Sequence, residues 1–101
     1  MKETALCPRL SKAMELVGKR WTALIIYQLL EGPQRFNAIE SALPISGRLL
    51  SERLKELDKE GIVVRTVYSE VPIRVEYNLT DKGLSLEQAV REIETWAKNW
   101  L

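Results

Sequence analysis

RFNAIESALPISGRLLSERLKELDKEG, residues 35–61, holds two apolar patterns of helical spacing on either side of a proline. Phe36, Ile39 and Leu43 fall three and four residues apart and make the apolar side of a short first helix. Pro44 ends it, because proline cannot donate to a helical ladder. A second helix begins near Ser46, whose hydroxyl suits an N-cap, and carries Leu50, Leu54 and Leu57 inward as far as Gly61. Two helices joined by a tight corner, the second longer than the first, form the helix-turn-helix pattern over residues 36–60.

The flanks extend this unit in both directions. From Ile62 the period changes. IVVRTVY and IRVEYNL are β-branched and alternating, so residues 62–79 read as an antiparallel hairpin around Ser69-Glu70-Val71-Pro72. Pro72 belongs at its tip or on an edge. Upstream, Leu10, Ala13, Met14 and Val17 place a helix over residues 8–17, with Pro8 in its first turn and Gly18 ending it. Trp21, Leu24, Ile25 and Leu29 place another over 20–30, stopped by Glu31-Gly32-Pro33. Thr80 or Asp81 caps a last helix over 81–100. The order predicts an α+β, mainly α fold: one winged helix-turn-helix domain over residues 1–101, with added N- and C-terminal helices for dimerisation.

Composition narrows the function. The chain has 101 residues, a net charge of +1, no histidine and one cysteine. With +1 overall, a nucleic-acid surface must come from where charges sit rather than from their sum. The first twenty residues hold Lys2, Arg9, Lys12, Lys19 and Arg20 against Glu3 and Glu15, a local surplus of three. Histidine is the commonest general base and metal ligand. Its absence, with no Gly-rich phosphate loop and only scattered acidic residues, predicts no enzyme, no cofactor and no metal. There is no apolar run long enough to span a membrane, and MKETALCPRL is too polar for a secretory signal. With a single cysteine, these features point to a cytoplasmic protein.

On a helix from Ser46, 100° per residue gathers Arg48, Ser51, Glu52 and Lys55 on the face opposite the leucines. Arg can grip a guanine edge with two hydrogen bonds, a carboxylate can accept from cytosine, and Lys can meet phosphate. Any surface helix carries a mixed charged face. After a helix-turn-helix corner and before a hairpin, however, the second helix is the one that enters the major groove. Ser46 and Gly47 at the head of that helix join the candidate DNA contacts, with Arg35 and Asn37 at the head of the preceding one as backbone contacts. In the hairpin, Arg74 either reaches DNA, where a narrow minor groove attracts Arg, or pairs across the strands with Glu76 or Glu70. Arg65 lies farther from the tip.

The last helix carries Leu86, Ala89, Val90, Ile93, Trp96, Ala97 and Trp100 at helical spacing, more apolar surface than so small a domain can cover. Paired recognition helices one DNA turn apart also favour a homodimer on a pseudo-palindromic operator. The expected seam holds Val90, Ile93, Trp96, Ala97 and Trp100, crossed by Leu10 and Met14 of the first helix. The other arrangement folds the tryptophans back on their own domain.

Cys7 precedes Pro8, so it is the expected N-cap of the first helix. Free backbone N–H groups and the positive end of the helix dipole favour an anion there. Arg9 and Lys12 add positive charge within about a turn. These features favour the thiolate, the nucleophilic form; the competing reading is an inert structural cysteine.

Three stretches carry a family resemblance: CPRLSKAMELVGKRWTALIIYQLLEGPQRF, LLSERLKELDKEGIVVR and YSEVPIRVEYNLTDKG. The chain resembles the HxlR-type winged-helix regulators of bacteria, a branch close to the MarR group. Within that family it is most similar to the quinone- and electrophile-sensing repressors of staphylococci and bacilli. The resemblance implies a dimeric DNA-binding repressor in which a cysteine at this N-terminal position senses quinones or oxidants and releases detoxification genes. This sequence departs from members that carry a second cysteine, so a disulfide between unlike cysteines is out of reach. The alternative function is a winged-helix module that binds DNA constitutively, or contacts protein, with Cys7 inert.

Overall fold

The computed structural model describes residues 6–101. Lys2 and Glu3, counted in the N-terminal charge surplus, lie outside the described residues. The core forms where α2 (Thr22–Leu29), α3 (Phe36–Ala42) and α4 (Gly47–Lys59) converge. Ile25, Ile26, Ile39, Leu50 and Leu57 have no more than 1% of their surface exposed, and Leu29, Leu54, Ile62, Val63 and Leu79 complete the cluster. Each such side chain contributes about 1.5–3 kcal/mol by leaving water, so the inward stripe of α4 is its main anchor. Ser46 is its N-cap: the hydroxyl oxygen accepts from the Leu49 N–H at 3.2 Å. Leu43 is extended and Ile45 is buried in the corner between α3 and α4.

The wing consists of β1 (Val63–Tyr68) and β2 (Arg74–Leu79), antiparallel, with Val63 opposite Leu79 at the base and Tyr68 opposite Arg74 at the tip. Pro72 lies in the connection between them. Gln34 adds a single bridging residue to this sheet. Its N–H donates to the Tyr77 carbonyl at 2.9 Å, and its carbonyl accepts from the Tyr77 N–H at 2.8 Å. One residue has no period, so no sequence pattern announced it.

Two helix boundaries differ from expectation. The second helix starts at Thr22, not Arg20, because Trp21 takes φ 81° in the left-handed region. That conformation costs a non-glycine residue about 1–2 kcal/mol. Its ring packs against the core in return, with the Arg20 guanidinium 4.9 Å from the ring centroid. The last helix, expected to be continuous over 81–100, is broken into α5 (Asp81–Leu84) and α6 (Glu87–Trp100).

The break has a cause in groups about 20 residues upstream. Thr80 Oγ1 accepts from the Gly83 N–H at 3.1 Å, and the Thr80 N–H donates to the Ile62 carbonyl at 3.0 Å. Lys82 Nζ donates to the Glu60 carbonyl at 2.7 Å. A Cβ on Gly83 would stand 2.3 Å from the Ile62 carbonyl oxygen, so only glycine permits this approach. Pinned to the end of α4, α5 cannot also run along α2. The chain turns at Ser85 and Leu86, where the Ser85 hydroxyl donates to the Lys82 carbonyl at 2.6 Å, and Leu86 packs on the core.

α1 (Pro8–Val17) completes the chain and has no fully buried residue. Among the described residues, no helix is long and apolar enough to cross a membrane.

Candidate nucleic-acid interface and N-terminal thiol

The outward face of α4 carries Arg48, Glu52 and Lys55 exposed, with Ser51 half-buried between them. Arg48 extends fully into solvent, its side chain 92% exposed, and its Nε lies 3.6 Å from Glu52 Oε2 one turn along. Such an exposed pair is worth little and is easily exchanged for another partner. The guanidinium therefore stays available to a base edge or a phosphate. Ser46 is exposed but its oxygen is engaged in capping. Gly47 sits against α3, where a Cβ would meet Glu40 Oε2 at 2.7 Å. These two residues shape the corner rather than project from it. Arg35 and Asn37 are exposed at the head of α3.

Of the two arrangements expected for Arg74, the structure shows the pairing with Glu70 and Glu76. Its Nη2 donates to Glu70 Oε2 at 2.9 Å, its Nε reaches the same carboxylate, and its Nη1 donates to Glu76 Oε2 at 2.6 Å. The guanidinium also stacks 3.8 Å from the centroid of Tyr68. These bonds hold the Glu70 carboxyl below its usual range, chiefly through the Arg74 hydrogen bonds, with the nearby Arg35 charge adding to the effect. They likewise push the Arg74 guanidinium up. In this arrangement two carboxylates and an aromatic face engage the guanidinium at once. Tyr68 as the stacking platform was missed, although it follows from the register that sets Tyr68 opposite Arg74.

Cys7 is the N-cap of α1. Its Sγ accepts from the Leu10 N–H at 3.4 Å, its carbonyl accepts from the Ser11 N–H at 3.0 Å, and the thiol is exposed. Arg9 and Lys12 are exposed on the same helix. Of the expected seam residues, Leu10 and Met14 are about half exposed, and Ile93, Trp96 and Trp100 are 64%, 55% and 74% exposed. Val90 and Ala97 are half-buried instead. They face α2, where they line a groove of about 270 Å³ with Leu24 and Tyr27, and Val90 packs on the core. The α6 surface therefore divides: Val90 and Ala97 turn to its own domain, Ile93 lines the same groove while staying largely exposed, and Trp96 and Trp100 lie outside that contact.

Comparison with known proteins agrees with this geometry. The family described as HxlR-like helix-turn-helix matches residues 16–101. The chain is 55% identical over 102 residues to the uncharacterised HTH-type transcriptional regulator YvaP of Bacillus subtilis (strain 168), covering all of this chain and 94% of that one. The reduced form of the transcriptional regulator YodB from B. subtilis is 44% identical, with a TM-score of 0.84 over 95% of each chain. The quinone-bound structure of YodB has a TM-score of 0.81 at 43% identity, over 94% of this chain and all of that one. A two-helix corner with an outward basic residue, a two-stranded wing and these relatives lead to one assignment: the chain belongs to the HxlR-like helix-turn-helix family of transcriptional regulators.

Proposed function

We propose that this regulator is a homodimeric repressor that binds a pseudo-palindromic operator and is released when thiol-reactive electrophiles, quinones among them, modify Cys7. The observation that carries the reading is the position of Cys7: an exposed thiol at the N-cap of α1, one turn from Leu10 and on the helix assigned to the dimer seam. A thiolate that attacks a quinone ring forms an S–C bond, and the ring takes up a proton to become a hydroquinone. An oxidant gives a sulfenic acid and then a mixed disulfide with a small thiol or with Cys7 of the partner subunit. Either product adds bulk beside the seam and alters the separation of two recognition helices that must match one DNA turn. Arg48, Ser51, Glu52 and Lys55 read the major groove, and Arg35 and Asn37 hold the backbone. Likeness to a regulator solved with quinone bound supports the choice of electrophile class.

The test is a band shift on the chain's own upstream region, with and without benzoquinone. Cys7→Ser should bind as the parent does but stay bound when quinone is added, and mass spectrometry should place the adduct on Cys7 of the parent. Release of the serine variant by quinone to the same extent as the parent removes Cys7 as the sensor.

A further inference from the structure

Three charges of alternating sign meet on the wing: Glu70, Arg74 and Glu76. Arg74 joins both carboxylates directly and stacks on the face of Tyr68. Farther along β2, Tyr77 exchanges two backbone hydrogen bonds of 2.9 and 2.8 Å with Gln34, the residue just before the head of α3. Three constraints converge on one guanidinium: a fork onto Glu70 from the wing's connecting turn, a bond to Glu76 two residues along β2, and stacking on Tyr68 across the sheet. Planar, bidentate geometry of this kind belongs to arginine and is lost with lysine, which keeps only the charge. The Arg74 side chain is 25% exposed, whereas that of Arg48 is 92% exposed.

We propose that Arg74 is a positioning residue for operator recognition. It makes no phosphate contact. Instead it fixes the wing hairpin, which the Gln34–Tyr77 bridge joins to the head of α3, so that the wing and α4 meet DNA as one surface. The proposal rests on the chain's reading as a DNA-binding regulator.

The experiment compares Arg74→Lys, Arg74→Gln and Glu70→Gln on operator and unrelated duplex across a salt series, with amide exchange of the free proteins. Positioning predicts that both Arg74 variants lose operator affinity by about tenfold, the scale of one charge-assisted hydrogen bond. The salt slope and the binding of unrelated duplex stay parental. Amides of residues 68–74 should exchange faster in both while those of α4 do not change. Glu70→Gln should narrow the ratio of operator to unrelated binding. A phosphate contact predicts the reverse: near-parental binding by Arg74→Lys, and a slope shallower by about one for Arg74→Gln. It also predicts that the cation freed by Glu70→Gln strengthens binding to both duplexes alike. That pattern, or unchanged wing exchange in the Arg74 variants, overturns the proposal. Failure of the parent to bind any duplex would sink the DNA-binding reading itself, and the exchange measurement would still decide whether Arg74 holds the wing.

Discussion

The Tyr27 hydroxyl donates to Glu94 Oε2 at 2.6 Å, tying α6 to α2 across the mouth of the apolar groove between them. Arg91 lies over the same ring, 5.8 Å from its centroid. This is the polar counterpart of the Val90 contact, and it fixes the angle at which α6 leaves the domain.

The link has a defined pH window. The Tyr27 hydrogen bond holds the Glu94 carboxyl below its usual range. That contribution is complete above the ordinary carboxyl value and is lost as pH falls through the depressed one. The Tyr27 phenol is raised, chiefly by its hydrogen bond to Glu94. Its contribution is complete below the ordinary phenol value and is lost as pH rises through the raised one. Tyr27→Phe should therefore lower Tm by a nearly constant amount from roughly pH 5 to 10. The gap from the parent should close at both extremes. A gap that stays flat across the whole range would show that the loss comes from the ring's packing rather than from the Tyr27–Glu94 bond.

Arg48 and Lys55 should behave differently when each is replaced by alanine. If Arg48 reads a base, Arg48→Ala lowers operator affinity by roughly ten- to a hundredfold and relaxes specificity at one position of each half-site. If Lys55 meets a phosphate, Lys55→Ala weakens binding to all sequences alike and flattens the salt slope by about one. Binding measured against single-base operator variants separates the two, and parental selectivity in Arg48→Ala would remove α4 as the reading helix.

Replacing Ile93 and Trp96 together by Glu should yield monomers, since carboxylates buried in an apolar seam are costly. Both side chains are exposed in the single chain, so the fold itself should survive with its helical signal intact. Operator affinity should fall with the dimer. Light scattering that still reports a dimer would place the interface elsewhere.

Thr22 offers a gain in stability. Its hydroxyl is buried without a hydrogen-bond partner among the described residues, and the residue is 1% exposed. Valine has the same shape and no polar atom to satisfy. Thr22→Val should raise stability by about 1 kcal/mol, read from urea unfolding. A destabilised variant would mean that water or a rearranged carbonyl satisfies the hydroxyl.

The parts of the fold that could be read from the sequence are those governed by short-range pattern. The inward leucines of α4, its Ser46 cap and the alternation of the wing strands depend on neighbours a few residues apart. Trp21, Gln34 and the break at Ser85 were hidden because each is decided by a distant group: the core under the indole, the Tyr77 backbone and the Ile62 carbonyl. Arg74 shows the same limit at the candidate site. The sequence supplied an arginine with two nearby glutamates, and only the register with Tyr68 shows how both carboxylates and a ring meet one guanidinium. Val90 and Ala97 share the apolar stripe of α6 with Ile93 and Trp96, and the stripe alone could not say which side faces α2.

The attachment of α5 has a mechanical consequence. Gly83 is pressed on the Ile62 carbonyl, and Thr80 and Lys82 hold the carbonyls of residues 60–62 that follow α4, so α5 works as a pivot block bolted to the C-terminal end of that helix. α6 is the lever arm that rises from it, 14 residues or about 21 Å long. A sideways push of about 1 Å at Trp100 corresponds to a tilt of about 3° over that length, delivered without a slack linker in between. The same stiffness works in reverse: clamping α4 in a groove restricts the angles through which α6 can swing. Torque applied at either end of this short assembly is felt at the other.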